Sequence, residues 1–137
     1  MPMNQVQANG RLAAAVEREL KTAIMRLPER QRLALTLREL RRLSHDQIAR
    51  AIGIDAAAVA PLLARARLRL RHELRGSGPG ESCPDRDRAL RAMARRQDGE
   101  RLEPEEDGWL LDHLVDCEEC DQAHAAMLEA TACFPLR

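Results

Sequence analysis

Three residues near the C-terminal end, His113, Cys117 and Cys120 in the run H-L-V-D-C-E-E-C, carry the donor atoms that soft and borderline metal ions prefer. His113 and Cys117 are four residues apart, and Cys117 and Cys120 are three apart. On a helix that spacing puts all three side chains on one face. One imidazole and two thiolates make three corners of a tetrahedral zinc site, and Cys83 upstream can close it as the fourth. A closed shell of three cysteines and one histidine leaves no position for water or substrate. Its chemistry is therefore structural or sensory rather than hydrolytic. The plain alternative is a pair of buried thiols beside an unrelated surface histidine. That alternative does not explain three ligand types at helical spacing in a polar segment.

The elements that must position these ligands read as helices throughout. Ala, Leu and Arg dominate, Trp109 and Phe134 are the only aromatic residues, and no alternating Val, Ile or Thr runs suggest a sheet. The expected class is all-α. The balanced net charge hides a division. Residues 11–75 hold 15 Lys and Arg against 7 Asp and Glu, and residues 76–137 hold 7 against 15. A basic module that could meet nucleic acid is thus joined to an acidic one that would avoid it, unless the two are simply solvated surfaces of unequal charge. The stretch Gly76-Ser77-Gly78-Pro79-Gly80 resists helix and separates them. The expected organisation is a helical unit over 11–75, a linker over 76–82 and a metal-binding unit over 83–131.

Within the first unit, Leu12, Val16, Leu20, Ala23 and Leu27 make one amphipathic stripe. Pro28 should end that helix and open the next, Glu29 to about Leu43, with Leu33, Leu37 and Leu40 buried. Ser44 and Gln47 form a capping box for a short helix carrying Ile48 and Ile52, which Gly53 stops. Asp55 can cap a longer helix to about Leu74. A short helix, a glycine turn and a longer helix is the helix-turn-helix plan. In the second unit Pro84 should open a helix to about Arg96, and Pro104 a helix carrying Trp109, Leu110, His113 and Leu114 towards the metal. A last helix should run from about Asp121 to Ala130. A core this small needs the free energy of a bound metal.

Residues 27–75 resemble region 4 of bacterial sigma factors of the extracytoplasmic-function group. The resemblance rests on the L-P-E-R-Q-R opening, the L-S-x-x-x-I-A-x-x-x-G-I centre and the R-A-R tail. It implies a grip on the −35 promoter element and on the flap of RNA polymerase. Ser44, His45 and Gln47 would then approach the DNA backbone. The helix from Ala56, with Ala57, Ala60, Pro61, Ala64, Arg65 and Arg69, would lie in the groove. Residues 83–128 resemble the zinc-binding domain of anti-sigma factors, an upstream Cys followed by H-x3-C-x2-C, which implies Zn2+ on Cys83, His113, Cys117 and Cys120. Nothing resembles region 2, so the chain is not expected to initiate transcription as a complete sigma factor unless a partner supplies that function.

The recognition helix departs from the family. Where relatives carry a Lys-Ser-Arg-like set after the valine matching Val59, this chain has Ala60, Pro61 and Leu62. Base readout needs donors and acceptors, and Ala56 to Ala64 offers none on its side chains. Pro61 also removes a backbone donor and could delay the regular helix by a turn. Val59, Leu63, Ala66 and Leu70 form an inward stripe, and Ala57, Pro61, Ala64 and Leu68 a second on nearly the opposite side. Either that second stripe meets protein, or it is the weak outer face of an alanine-rich helix. Arg65, Arg67, Arg69, Arg71 and Arg75 could hold phosphates without reading sequence.

These observations support a regulator of transcription that binds DNA, RNA polymerase or both. The alternative is an interaction module that binds a sigma factor or polymerase without reading DNA. In either case the acidic unit could fold back and hide the basic one. Thiolates on zinc could also sense oxidation. Cys133 could be a spare ligand, a resolving thiol or a small buried residue. His45 and His72 are expected on helix surfaces, and His124 near the metal. No nucleophile–base pair or phosphate loop points to an enzyme or a small-molecule substrate. The N-terminus lacks the features of a signal peptide, and no long apolar run suggests a membrane span. Cysteines at metal-ligand spacing fit a reducing cytoplasm.

Overall fold

The computed structural model describes residues 2–76, 78 and 80–134, with side chains from residue 14 onward. Linker residues Ser77 and Pro79, and the side chain of Leu12, lie outside that range. The described residues form seven helices and no strand: α1 (Pro2–Met25), α2 (Glu29–Arg41), α3 (His45–Ile52), α4 (Ala56–Arg75), α5 (Arg86–Gln97), α6 (Pro104–Asp116) and α7 (Glu118–Ala132). None alone is long and apolar enough to cross a membrane.

Local chemistry sets the ends of these helices. Pro28 precedes α2 as its N-cap rather than sitting inside it. The helix stops at Arg41 because Arg42 turns left-handed at φ 57°, its N–H bonding back to the Arg38 carbonyl and the Leu43 N–H to that of Leu37. The expected capping box is present: the Ser44 hydroxyl accepts from the Gln47 N–H at 3.2 Å, and Gln47 Oε1 accepts from the Ser44 N–H at 2.8 Å. Gly53, at φ 82°, closes α3 in a conformation that costs a residue with a Cβ. The chain then bends by 95° into α4, within the helix-turn-helix range. Asp55 stands at the N-cap of α4 without a side-chain capping bond. Pro61 does not delay α4, which is helical from Ala56 through it. Pro84 lies in a turn, and α5 starts only at Arg86.

α4 is the axis of the fold and packs against α1, α2, α3, α5 and α7. Its inward stripe, Val59, Leu63, Ala66 and Leu70, is fully buried against Leu20, Leu35 and Ile48 of the first three helices. Val16 and Leu33, expected to be buried, are exposed instead, and Ala34 and Leu35 take the inward positions on α2. Ala130 and Phe134 from the end of α7 close this same cluster. A second cluster joins Ala60 and Ala64 of α4 to Leu90, Met93, Leu110 and Met127 of the acidic half. Alanines at 60, 64, 89 and 92 remove the side-chain bulk that would hold α4 and α5 apart. The two halves therefore share both apolar clusters.

Polar contacts reinforce the junction. Arg67 of α4 is completely buried, and its Nη2 donates to Asp98 Oδ1 at 2.5 Å and to Glu39 Oε1 at 3.2 Å. Asp98, at the C-cap of α5, is also 2.8 Å from His45 Nε2 and 3.3 Å from Arg38 Nε. Thr131 of α7 donates to Glu39 at 2.9 Å and accepts from Gln97 at 2.7 Å. One acidic residue of the second half thus answers three cationic or ring-nitrogen groups of the first. Burial alone would raise the Asp98 pKa. The His45 hydrogen bond and the charge and hydrogen bond of Arg67 outweigh it, so the carboxyl titrates below its ordinary range.

Candidate metal centre and nucleic-acid interface

The candidate metal ligands come from three elements. Cys83 sits on the loop before α5, His113 on the last turn of α6 and Cys120 on the first turn of α7. Cys117 lies between α6 and α7 with extended backbone, φ −113° and ψ 106°. The expectation of one helix carrying all three C-terminal ligands is corrected here. The helix breaks at Cys117, and α7 begins immediately at Glu118. The break still converges the donors: one ligand atom from each of the four residues lies within 4.8 Å of every other. Cys83 Sγ and His113 Nε2 are 3.5 Å apart. A tetrahedral zinc with bonds of about 2.0–2.3 Å needs donor separations of roughly 3.4–3.8 Å, so the cluster needs only a small contraction to hold one ion.

The surroundings suit anionic sulfur. Backbone N–H groups of Cys120 and Glu119, in the first turn of α7, point at the Cys117 thiol. The Cys120 N–H is the largest influence lowering its pKa, with burial opposing. Cys120 is buried, and burial first, then its neighbouring thiols, push its own pKa up.

Residues that the sequence reading missed hold the ligands in place. Glu119, between Cys117 and Cys120, accepts from the backbone N–H groups of Ser82 at 3.0 Å and Cys83 at 2.9 Å, and from the Ser82 hydroxyl. It fastens the Cys83 loop to α7. Trp109 stacks on His113 with centroids 4.8 Å apart and planes 14° from parallel. Arg88 lies 3.8 Å from the Trp109 ring centroid and grips Glu106 at 2.8 Å. The i, i+4 spacing of Trp109 and His113 was legible as a contact; the Glu119 bond across 36 residues was not. His124 is half-buried but outside the donor cluster, and burial lowers its pKa. Cys133 packs against the first apolar cluster at the end of α7, away from the metal group.

The residues assigned to DNA are divided by the packing. His45 is corrected: it is 2 % exposed and bonded to Asp98, so it cannot meet a DNA backbone in this arrangement. Ala60 and Ala64 are also corrected, because both are buried against α5 and α7. Ala57, Arg65 and Arg69 are exposed, Pro61 is half-buried and Leu68 packs against the second cluster. Arg69 bonds to Glu73 at 2.9 Å. Ser44 and Gln47 remain near the surface, with polar atoms engaged in the capping box. The stripe of Ala57, Pro61, Ala64 and Leu68 is therefore graded from exposed Ala57 to buried Ala64.

Residues 17–70 match the family model of Sigma-70, region 4. The matched segment runs from α1 through most of α4 and contains the helix-turn-helix. A region 4 module implies DNA, RNA polymerase or both as partner, and a role in transcription. None of the curated proteins or solved structures compared matches the chain.

Proposed function

We propose that the protein is a regulator of transcription. Its region 4 helix-turn-helix is covered, and so controlled, by a zinc-clamped second half. The observation that carries this reading is the burial of α4 on two sides, by Val59, Leu63, Ala66 and Leu70 towards the first half and by Ala60, Ala64 and Arg67 towards the second. An α-helix reads a major groove with side chains that project from the protein. Here the second half occupies part of that side. The likeness of residues 83–128 to anti-sigma zinc domains supports the same division of labour, with Cys83, His113, Cys117 and Cys120 holding the ion. Zinc, when bound, would supply the positive charge that lets three thiolates coexist and would join α6, α7 and the Cys83 loop. The protein acts by binding rather than by catalysis, in a cytoplasm that keeps its thiols reduced.

The test compares the full chain with Ala64→Gln, a neutral wedge in the α4–α5 seam that leaves the inward stripe untouched. Gel shift with promoter DNA and capture of RNA polymerase should both be followed, with metal content measured on the same samples. Stronger binding by the variant to either partner is expected, and equal binding to both would remove the covering role. A second reading, an interaction module that binds polymerase or a sigma factor without DNA, is favoured by the absence of side-chain donors from Ala56 to Ala64. Polymerase capture without any gel shift would select it. Oxidation would act at the same thiols: zinc release under mild peroxide would make the site a sensor, whereas a site that stays loaded is structural.

A further inference from the structure

The acidic half carries seven basic residues, and five of them, Arg86, Arg88, Arg91, Arg95 and Arg96, lie on α5, with Arg101 just beyond its end. Three serve the fold: Arg86 faces Glu81 at 3.6 Å, Arg88 grips Glu106, and Arg96 pairs with Asp107. Arg91, Arg95 and Arg101 make no close ion pair with a carboxylate among the described residues, although the charge of Arg91 also acts on Glu106. They line one open cavity of about 390 Å³ on the α4–α5 seam, with Ala57 and Ala60 of α4 in its wall. Arg95 donates to the carbonyl of Arg101, which keeps the turn after α5 folded towards the helix. Two carboxylates share the cavity, and Glu106 is already neutralised by Arg88, leaving only Glu103 against three guanidinium groups.

We propose that Arg91, Arg95 and Arg101 form a second phosphate-binding surface for duplex DNA, placed beside the N-terminal end of α4. At that end the outer face of α4 offers only exposed alanines and half-buried Pro61 and Leu62, so the donors missing from the recognition helix are supplied across the seam by α5. Guanidinium groups bind phosphate oxygens in a bidentate fork and supply affinity without base identity. The assembled protein then holds DNA by its backbone while the buried face of α4 reads no bases. The inference takes DNA as partner, as the proposed function does, but assigns the contact to the acidic half.

The experiment measures anisotropy of a fluorescent non-promoter duplex with the full chain, its Arg91→Gln/Arg95→Gln/Arg101→Gln variant, and an Arg65→Gln/Arg69→Gln variant. Loss of three phosphate contacts should flatten the slope of log affinity against log salt by about 2.7. Between about 50 and 200 mM salt, the triple variant should therefore lose roughly 40-fold less affinity than the parent. Arg91→Gln/Arg101→Gln, which keeps the Arg95 bond, should flatten the slope by about 1.8, and this guards against a folding defect in the triple variant. An unchanged slope in both α5 variants overturns the proposal. If only Arg65→Gln/Arg69→Gln weakens binding, the proposed function survives and this surface does not. No binding of the duplex by the parent overturns the surface and the DNA reading together. Tighter binding of polyglutamate than of DNA, lost in the triple variant, also overturns it and assigns the arginines to an acidic protein.

Discussion

Replacing Asp98 by alanine should strongly destabilise the junction between the halves. Its carboxylate is the 2.5 Å acceptor of the fully buried Arg67 and the 2.8 Å partner of buried His45. Truncation leaves Arg67 with Glu39 alone, at 3.2 Å. Removing one member of a buried ion pair costs about 3–5 kcal/mol, because the surviving charge stays desolvated. Glu39 remains as a counter-ion, so the lower end, about 3 kcal/mol, is expected. For a chain of this size that is a fall in melting temperature of roughly 10 °C. Urea unfolding at neutral pH, with Arg67→Met and the double variant, completes the cycle. Arg67→Met should cost less, since Asp98 keeps His45 and Arg38, and the coupling should exceed about 1 kcal/mol. A loss below about 1 kcal/mol for Asp98→Ala, with no coupling to Arg67, would show that α5 does not dock on α4 through this carboxylate.

Acid should weaken the same junction. The Asp98 pKa is lowered in the folded state, so its contribution is complete above the unfolded value of about 4 and disappears as pH falls below that. Melting followed from pH 6 downward should show a steeper loss in the parent than in Asp98→Asn, and parallel curves would count against it. Cys117→Ser should abolish stoichiometric zinc and lower the melting temperature, as should a strong chelator on the parent; an unaltered melt in both would mean that no metal supports the fold. Ser44→Ala should cost about 1 kcal/mol by removing half of the capping box, measured by denaturant midpoint. Met127→Ala, at a fully buried site where α7 meets α5, should cost about 2–5 kcal/mol, and a loss below about 1 kcal/mol would contradict its place in the second cluster.

Features fixed by near neighbours were legible in the sequence. The Ser44–Gln47 box, the Gly53 turn, Pro104 at the start of α6 and the inward stripe of α4 each depend on a few adjacent residues. The clustering of the Cys and His donors was legible for the same reason, although the break at Cys117 was not: helical spacing is compatible with a kink that keeps the donors on one side. Long-range pairing was invisible. His45 was expected at the surface because its partner Asp98 lies 53 residues away, across the linker. Arg67 looked like one more solvated arginine in a run of them, and only the structure separates it from exposed Arg65 and Arg69. The second apolar stripe did signal burial on two faces, but its true lining is Ala60 and Ala64, shifted towards α5, because α5 crosses to one side of that stripe.

The charge division acquires a physical meaning from this packing. A strongly acidic half would repel DNA if its carboxylates were spread evenly, yet its arginines gather on α5, against the helix-turn-helix. Much of its acid lies on α6 and at the start of α7, around the cysteine–histidine cluster. The basic half likewise gains an internal anion: Arg67 brings a charge into the core, where its Nη2 meets both Glu39 and a second carboxylate, while Nε and Nη1 have no hydrogen-bond partner. Asp98 supplies that anion from the other half. α7 spans the whole arrangement, with Cys120 in the donor cluster at one end and Thr131 hydrogen-bonded to Glu39 near the other. Loosening its first turn therefore removes support from the junction at its last. Should a metal hold the donor cluster, its removal is expected to change α4 exposure through α7, and hydrogen exchange along α4 would measure it.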